Sequence, residues 1–207
     1  MRGIAVNAWL FLGVASVVLV GNASFAQGLG DGTSIVRDWS GPYVGAGVSY
    51  SKHTPTDETG ILSLPSASGA ELGLLLGYSW QSTNLVYGLE AVANLGNSVG
   101  TNACCETSVE KSLAVKGRVG YATGNTLFFG TLGVASDQWS LSVPNAGSAS
   151  IRYTGVVLSV GAEVALTDLF SVRGEVENYN FQSRRNVTGG DVSYNTNTIR
   201  LSMVRSF

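Results

Sequence analysis

The residues of this chain that could do chemistry are few, and the charged ones follow a pattern. Charged residues make up 13% of the sequence and the formal net charge is −2, so the chain offers no basic surface for nucleic acid. Four acids and four bases occupy alternate positions that are otherwise held by Gly, Ser and Ala: Glu71, Glu90, Lys116, Arg118, Glu163, Arg173, Glu175 and Arg200. Because an isolated buried charge is very costly, equal numbers of each sign on one face indicate an ion-paired interior.

Enzymatic and metal chemistry have little support in the sequence. The single histidine, His53, falls in a predicted loop, and hydrolytic sites generally need a histidine beside a serine or an aspartate. Cys104 and Cys105 are adjacent in another predicted loop, and a surface pair without function is favoured over a redox or intermolecular role. A metal site would need more ligands near either position. We therefore predict no enzyme, no metal and no cofactor.

Eight segments alternate a large apolar residue with a small or charged one, which is the period of a β-strand. In the clearest segment, Ala70, Leu72, Leu74, Leu76, Tyr78 and Trp80 share one face. Long and short gaps alternate between the segments. This pattern predicts an all-β protein, an eight-stranded antiparallel up-and-down transmembrane β-barrel. The predicted long loops are Lys52–Ser68, Gly96–Val109, Ser136–Ser150 and the stretch through Arg184, Arg185 and Asp191.

Residue size and charge predict which face of the strands is outside. The apolar face is nearly free of charge, as a lipid-facing surface must be, since Lys or Arg at the bilayer midplane costs about 2–4 kcal/mol. In the fifth strand we place Phe128, Gly130, Leu132 and Val134 on that face. Aromatic residues near the strand ends suit an interfacial girdle: Tyr50, Tyr78, Trp80, Tyr87 and Tyr121. A water-soluble eight-stranded barrel, with the two faces exchanged, is the alternative.

The N-terminal segment resembles a secretory signal peptide. Trp9 to Val20 is almost entirely apolar, and Ser24-Phe25-Ala26 is a small-x-small cleavage site. We predict a cleaved signal peptide over residues 1–26, a periplasmic lead-in over 27–38 and the barrel over 39–207. Closure of the barrel pairs its last strand with its first, which places three short turns on the periplasmic side and four loops outside.

Several segments resemble a known family. Asp38–Gly47 resembles the opening strand of the small outer-membrane barrels of alphaproteobacteria, and Tyr87–Ala91, Lys116–Ala122 and Asn197–Leu201 resemble later strands. This group of OmpA-like eight-stranded barrels is often labelled porin-family and includes major surface antigens and hemin-binding proteins. The resemblance covers residues 38–207. It implies a location in the cell outer membrane and contact with outer-membrane lipids and lipopolysaccharide.

The C-terminus carries the same resemblance and one departure from it. Phe207 resembles the assembly signal that the barrel-assembly machinery reads. Arg205 stands where the family usually has an outward aromatic residue. At the rim of the barrel, a long guanidinium side chain can reach the membrane interface.

Three classes of function follow from these observations. We favour a structural outer-membrane barrel without catalysis, whose narrow interior is filled by salt bridges. The alternative is loop-mediated binding of hemin or another small or host ligand, with His53 as the hemin contact and Tyr179, Arg184 and Arg185 near the propionates. A lipid hydrolase or rim protease is the least favoured class. True diffusion pores need wider barrels, of about sixteen strands, so the porin label does not imply pore activity.

Overall fold

The protein is a closed β-barrel. The computed structural model describes residues 37–57, 65–101, 106–143, 147–185 and 191–207. Every strand pairs antiparallel with its neighbours in sequence, and β8 pairs with β1 to close the barrel. The strands are β1 (Gly41–Asp57), β2 (Ala67–Ser82), β3 (Leu85–Thr101), β4 (Glu106–Thr123), β5 (Thr126–Val143), β6 (Gly147–Ala165), β7 (Phe170–Arg185) and β8 (Asp191–Ser206). The predicted fold class is confirmed. No helix among the described residues is long and apolar enough to cross a membrane.

The two ends of the barrel differ. At the turn end, short turns join β2 to β3, β4 to β5 and β6 to β7, and this is also where β1 begins and β8 ends. Two of these turns need a residue with positive φ, which is Thr83 (55°) in one and Gly124 (54°) in the other. We call the opposite end, where the other four connections lie, the loop end.

The strands extend further at the loop end than the sequence predicts. β1 continues to Asp57, β2 begins at Ala67, and most of Gly96–Val109 and Ser136–Ser150 is paired strand. Membrane-spanning strands need only about 9–11 residues. Beyond that length most of the outward residues are polar, so the hydrophobic alternation fades while the backbone pairing continues. The predicted long loops were therefore wrong in extent.

An apolar band surrounds the outer face of the barrel. Its exposed members include Val48, Leu74, Leu76, Leu89, Val115, Val134, Ile199 and Leu201. The predicted orientation of β5 is confirmed, because Phe128 is 48% exposed while its neighbour Phe129 is only 6% exposed. This band matches what a lipid-facing surface requires.

The interior is arranged in layers along the barrel axis. An apolar layer at the turn end contains Trp39, Val86, Ala122, Leu127 and Phe129. A second layer, at the loop end, is rich in aromatic residues and contains Val109, Ala114, Ala135, Trp139, Tyr153, Val157, Tyr179, Phe181 and Tyr194. Most of the buried charged side chains lie between these two layers, and they form the candidate site described next.

Candidate functional site

Lys116 is the centre of the buried charge network. Its Nζ lies 2.8 Å from Glu175 Oε1, 2.9 Å from Glu177 Oε1 and 3.3 Å from Glu90 Oε1. Glu90 is the direct cross-strand partner of Lys116 on β3, whereas the other two carboxylates reach it from β7. One ammonium group therefore ties three strands together across the interior.

Arg173 forms the second centre of the network. Its guanidinium contacts the carboxylate of Glu90 and lies 2.9 Å from Glu163 Oε2. β7 and β3, which carry Arg173 and Glu90, are four strands apart in either direction around the barrel, so this ion pair spans its full width. Glu163 also accepts from Arg118 Nη2 at 2.6 Å and from Ser171 Oγ at 2.5 Å. The Arg118 guanidinium lies 4.1 Å from the centre of the Phe129 ring, which joins the network to the turn-end layer.

Arg200 and two tyrosines complete the network. Arg200 donates to Glu177 Oε2 at 2.7 Å and to Asn94 Oδ1 at 2.8 Å. Gly73 makes room for this side chain, because a Cβ at that position would clash with Arg200 Nη1. The Tyr43 hydroxyl donates to Glu90, and the Tyr179 hydroxyl donates to Glu177.

The network contains four acids and four bases, but its membership differs from the predicted set. Glu177 belongs to it and was missed, although it continues the alternation of Arg173 and Glu175 along β7. Glu71 is buried on the interior face but lies outside the network, accepting from Ser51 Oγ and Ser98 Oγ. The cross-strand partners of Glu71 are Ser49 and Gly96, so no cation stands opposite it.

His53 does not lie in a loop, and that expectation was wrong. It belongs to β1, points into the interior and is only 2% exposed. Its Nδ1 is 2.8 Å from Thr196 Oγ1, its Nε2 is 3.6 Å from Glu71 Oε1, and its ring is 6.4 Å from that of Trp139. The cause is the extension of β1 past the apolar band, which continues the inward positions of Ser49 and Ser51.

Of the other residues suggested for hemin, only Tyr179 has a described side chain, and it does not lie at the rim. Tyr179 is buried in the loop-end layer, where its hydroxyl is bonded to Glu177. The side chains of Arg184 and Arg185, as well as Cys104 and Cys105, lie outside the residues that are described. In the described ranges, no three His, Cys, Asp or Glu side chains are grouped so as to hold a metal ion.

The five aromatic residues proposed for a girdle all face outward and are exposed. Three of them form a contiguous cluster near the turn end, in which the ring centres of Tyr78 and Trp80 are 4.8 Å apart and those of Trp80 and Tyr87 are 5.8 Å apart. Tyr121 is on the neighbouring β4, opposite Leu85, while Tyr50 lies toward the loop end of β1. Their interfacial role stays a prediction.

Residues just before β1 close the turn end of the interior. Trp39 is buried in the turn-end layer, and its backbone amide donates to Gln81 Oε1 at 2.7 Å. Arg37 lies 4.7 Å from the Trp39 ring and donates to the carbonyl oxygens of Thr167 and Asp168, both at 3.0 Å. The strand pattern did not predict that Arg37 and Trp39 close this end of the interior, because both residues precede the first alternating segment. Residues 1–36, which include the predicted signal peptide and most of the lead-in, lie outside the described ranges.

The first strand and the C-terminal residues meet at the turn end. The Phe207 amide donates to the Pro42 carbonyl at 3.1 Å, while the Phe207 side chain is exposed. The Arg205 guanidinium lies 4.7 Å from the Phe207 ring and 6.0 Å from the Phe170 ring. The exposed Arg205 cation therefore lies near two aromatic rings at the turn end. The role of Phe207 as an assembly signal stays a prediction.

A family model and an individual relative both match this chain, and both are outer-membrane proteins. The model of the outer membrane protein beta-barrel domain matches residues 12–207. A 22 kDa outer membrane protein of Rhizobium leguminosarum bv. viciae is 26% identical over 130 residues, which are 61% of this chain and 61% of that protein. The match therefore spans about three-fifths of the relative's length.

Solved structures share the fold at low sequence identity. Neisserial surface protein A has a TM-score of 0.58 and 13% identity, over 81% of this chain and 98% of that one. OprG of Pseudomonas aeruginosa has a TM-score of 0.52 and 10% identity, over 85% and 99%. With the family match over nearly the whole sequence, the closed eight-stranded barrel and its apolar outer band, the chain belongs to the outer membrane protein beta-barrel domain family and is a protein of the cell outer membrane.

Proposed function

We propose that this protein is a structural component of the outer membrane whose interior is occluded, so that it neither catalyses a reaction nor conducts solutes. The observation that carries the proposal is the binding of three carboxylates by the single ammonium group of Lys116. Side chains from β3, β4 and β7 thus fill the middle of the interior with ionic contacts. A solute would have to break several of these contacts to pass.

The layers on either side of the network support the same proposal. Trp39 and Phe129 lie on the turn-end side, and Trp139, Phe181 and Tyr194 lie on the loop-end side. Since the charges of the network face one another in a region of low dielectric, each is compensated and the strands are tied together. Such an interior makes the barrel rigid and is not suited to the passage of a solute.

The orientation and partners belong to the proposal as well. The turn end faces the periplasm, and the loops face outward, as in barrels with short periplasmic turns and longer extracellular loops. The apolar band contacts lipid acyl chains, lipopolysaccharide surrounds the outer half of the wall, and the barrel-assembly machinery engages the exposed Phe207. Binding of hemin or a host ligand by the loops stays a prediction from the family resemblance. Its route through His53 would require a buried ring to leave the interior.

Single-channel recording in planar lipid bilayers tests the occluded interior. The refolded protein is added to the bilayer, and insertion is confirmed by recovering a heat-modifiable band from the membrane. We expect no stable conductance steps, while a sixteen-stranded porin inserted in the same lipid supplies the positive control. Regular steps of uniform size from the wild-type protein would refute the proposal.

A further inference from the structure

An unusual group of amide side chains lies on the outer face of β7 and β8. Asn178 Nδ2 donates to Asn195 Oδ1 at 3.0 Å and to Asn197 Oδ1 at 2.9 Å, and Asn197 Nδ2 is 3.4 Å from Asn195 Oδ1. Asn178 is the direct cross-strand partner of Asn197. Asparagine is depleted in strands, and this amide cluster packs no core. Neither the ion-paired interior nor the closure of the barrel explains it.

The amide cluster lies directly above the apolar band. One outward position nearer the turn end, the residues are Val176 on β7 and Ile199 on β8, of which Ile199 is 67% exposed. Tyr50 on β1 pairs with Ile199 and is also exposed. In a membrane, the level just past the last apolar residues is where the lipid headgroups begin.

The charge around the amide cluster favours an anionic partner. Lys52 on β1 is exposed and pairs with Asn197, and Thr54 pairs with Asn195. Among the side chains described on the outer face of β7, β8 and β1 at this level, none is a carboxylate. The surface therefore combines one ammonium group with several amide and hydroxyl groups.

We propose that the amide cluster, with Lys52 and Thr54, binds the phosphorylated saccharide headgroup of an outer-leaflet glycolipid. Amides supply donors and acceptors for sugar hydroxyls, the Lys52 ammonium pairs with a phosphate, and the apolar band directly below takes the acyl chains. The inference rests on the proposed contact with lipopolysaccharide and adds the place at which it occurs. A soluble saccharide would gain nothing from the position at the edge of the band, whereas an anchored one would gain the acyl contacts.

The test is a titration of detergent-refolded protein with rough lipopolysaccharide, followed by the fluorescence of a labelled lipid. Asn178→Val with Asn197→Val removes two amides while retaining residues that favour strands. We expect binding at least about tenfold weaker, since the double variant loses the hydrogen bonds of two amide groups. Ser136→Val with Gln138→Val is the matched control, because both residues face outward on β5 directly above Val134. The control is expected to bind as the wild type does.

Folding of each variant is checked by its heat-modifiable migration, and Lys52→Gln supplies a second variant outside the amide cluster. If the asparagine double variant and Lys52→Gln both bind lipopolysaccharide as tightly as the wild type does, the inference is wrong, while the proposed contact with lipopolysaccharide stands. If the wild type does not bind lipopolysaccharide, both the inferred headgroup site and the proposed contact with lipopolysaccharide are wrong. Phosphatidylglycerol vesicles and the deacylated core oligosaccharide are the competing probes. If either binds as tightly as intact lipopolysaccharide, the assignment to a glycolipid headgroup is wrong.

Discussion

Replacing Lys116 by methionine should destabilise the barrel more than other single losses of charge. Methionine has a similar length but no charge, so the change leaves three buried carboxylates short of a cation. Arg173 remains for Glu90 and Arg200 remains for Glu177, but no other ion pair is found for Glu175 in the described part of the chain. Removing one partner of a buried pair typically costs about 3–5 kcal/mol, and we expect Lys116→Met to fall in that range.

The assay is urea unfolding of the protein in lipid vesicles, followed by tryptophan fluorescence and by migration on gels without heating. Lys111→Met is the matched control, because it is the same substitution on the same strand at an exposed position. Its free energy of unfolding should change by less than about 0.5 kcal/mol. Equal losses in the two variants would refute the argument that the interior network stabilises the fold.

A double variant tests the mechanism rather than the size of the effect. Glu175→Gln removes the carboxylate that depends most on Lys116, so Lys116→Met should cost less in its presence than in the wild type. We expect a coupling of about 1–3 kcal/mol between the two positions. Purely additive losses would show that the 2.8 Å contact contributes nothing specific.

Two further predictions concern the ends of the interior. Asp137 lies at the loop end, beyond Val134, which is the last outward apolar residue among the described side chains of β5, and burial raises the pKa of its carboxyl from 3.8 to about 6. The protonated form is favoured by folding, so its stabilising contribution, about 3 kcal/mol, is full below pH 3.8 and is lost as the pH rises through 6. Asp137→Asn should therefore stabilise the barrel at pH 8 and flatten the dependence of the unfolding midpoint on pH; an unchanged profile would contradict this. At the turn end, Trp39→Ala should lower the free energy of unfolding by about 3 kcal/mol, because it empties a buried site, whereas Leu166→Ala at an exposed turn position should not. Equal effects of the two substitutions on urea unfolding would show that Trp39 is not part of the core.

The sequence was sufficient to predict the fold because a transmembrane barrel imposes a strict alternation on every strand. Even the ambiguous pair Phe128 and Phe129 was oriented correctly from its neighbours. The same rule failed at the loop end. There the wall leaves the membrane, both faces can be polar, and only backbone pairing such as His53 with Thr196 defines the strand. No hydrophobic pattern records that pairing, so β1 was predicted too short and His53 was assigned to a loop.

The interior charges show what alternation can and cannot determine. The alternation of side chains along a strand identifies which residues point inward, and by this rule both Glu71 and Glu177 point inward. It does not give their height along the axis, which depends on the stagger between neighbouring strands. Opposite charges stand directly across from each other in Glu90 with Lys116 and in Glu163 with Arg173, whereas Glu71 faces Ser49 and Gly96.

The network contains four acids and four bases because the register of the strands decides which inward charges lie at the same level. The composition of the inward face alone does not decide this. Glu177 lies beside Lys116 and Arg200, where two cations need an additional carboxylate. Glu71 lies nearer the loop end, where serine hydroxyls and His53 are close enough to solvate it. A register that moved Glu177 away from Lys116 and Arg200 would leave these two cations with too few carboxylates in the middle of the barrel. It would also leave a carboxylate without a compensating partner nearer the loop end. The observed registers of the neighbouring strands avoid both costs, so the charge pattern favours them over registers that would exchange these two positions.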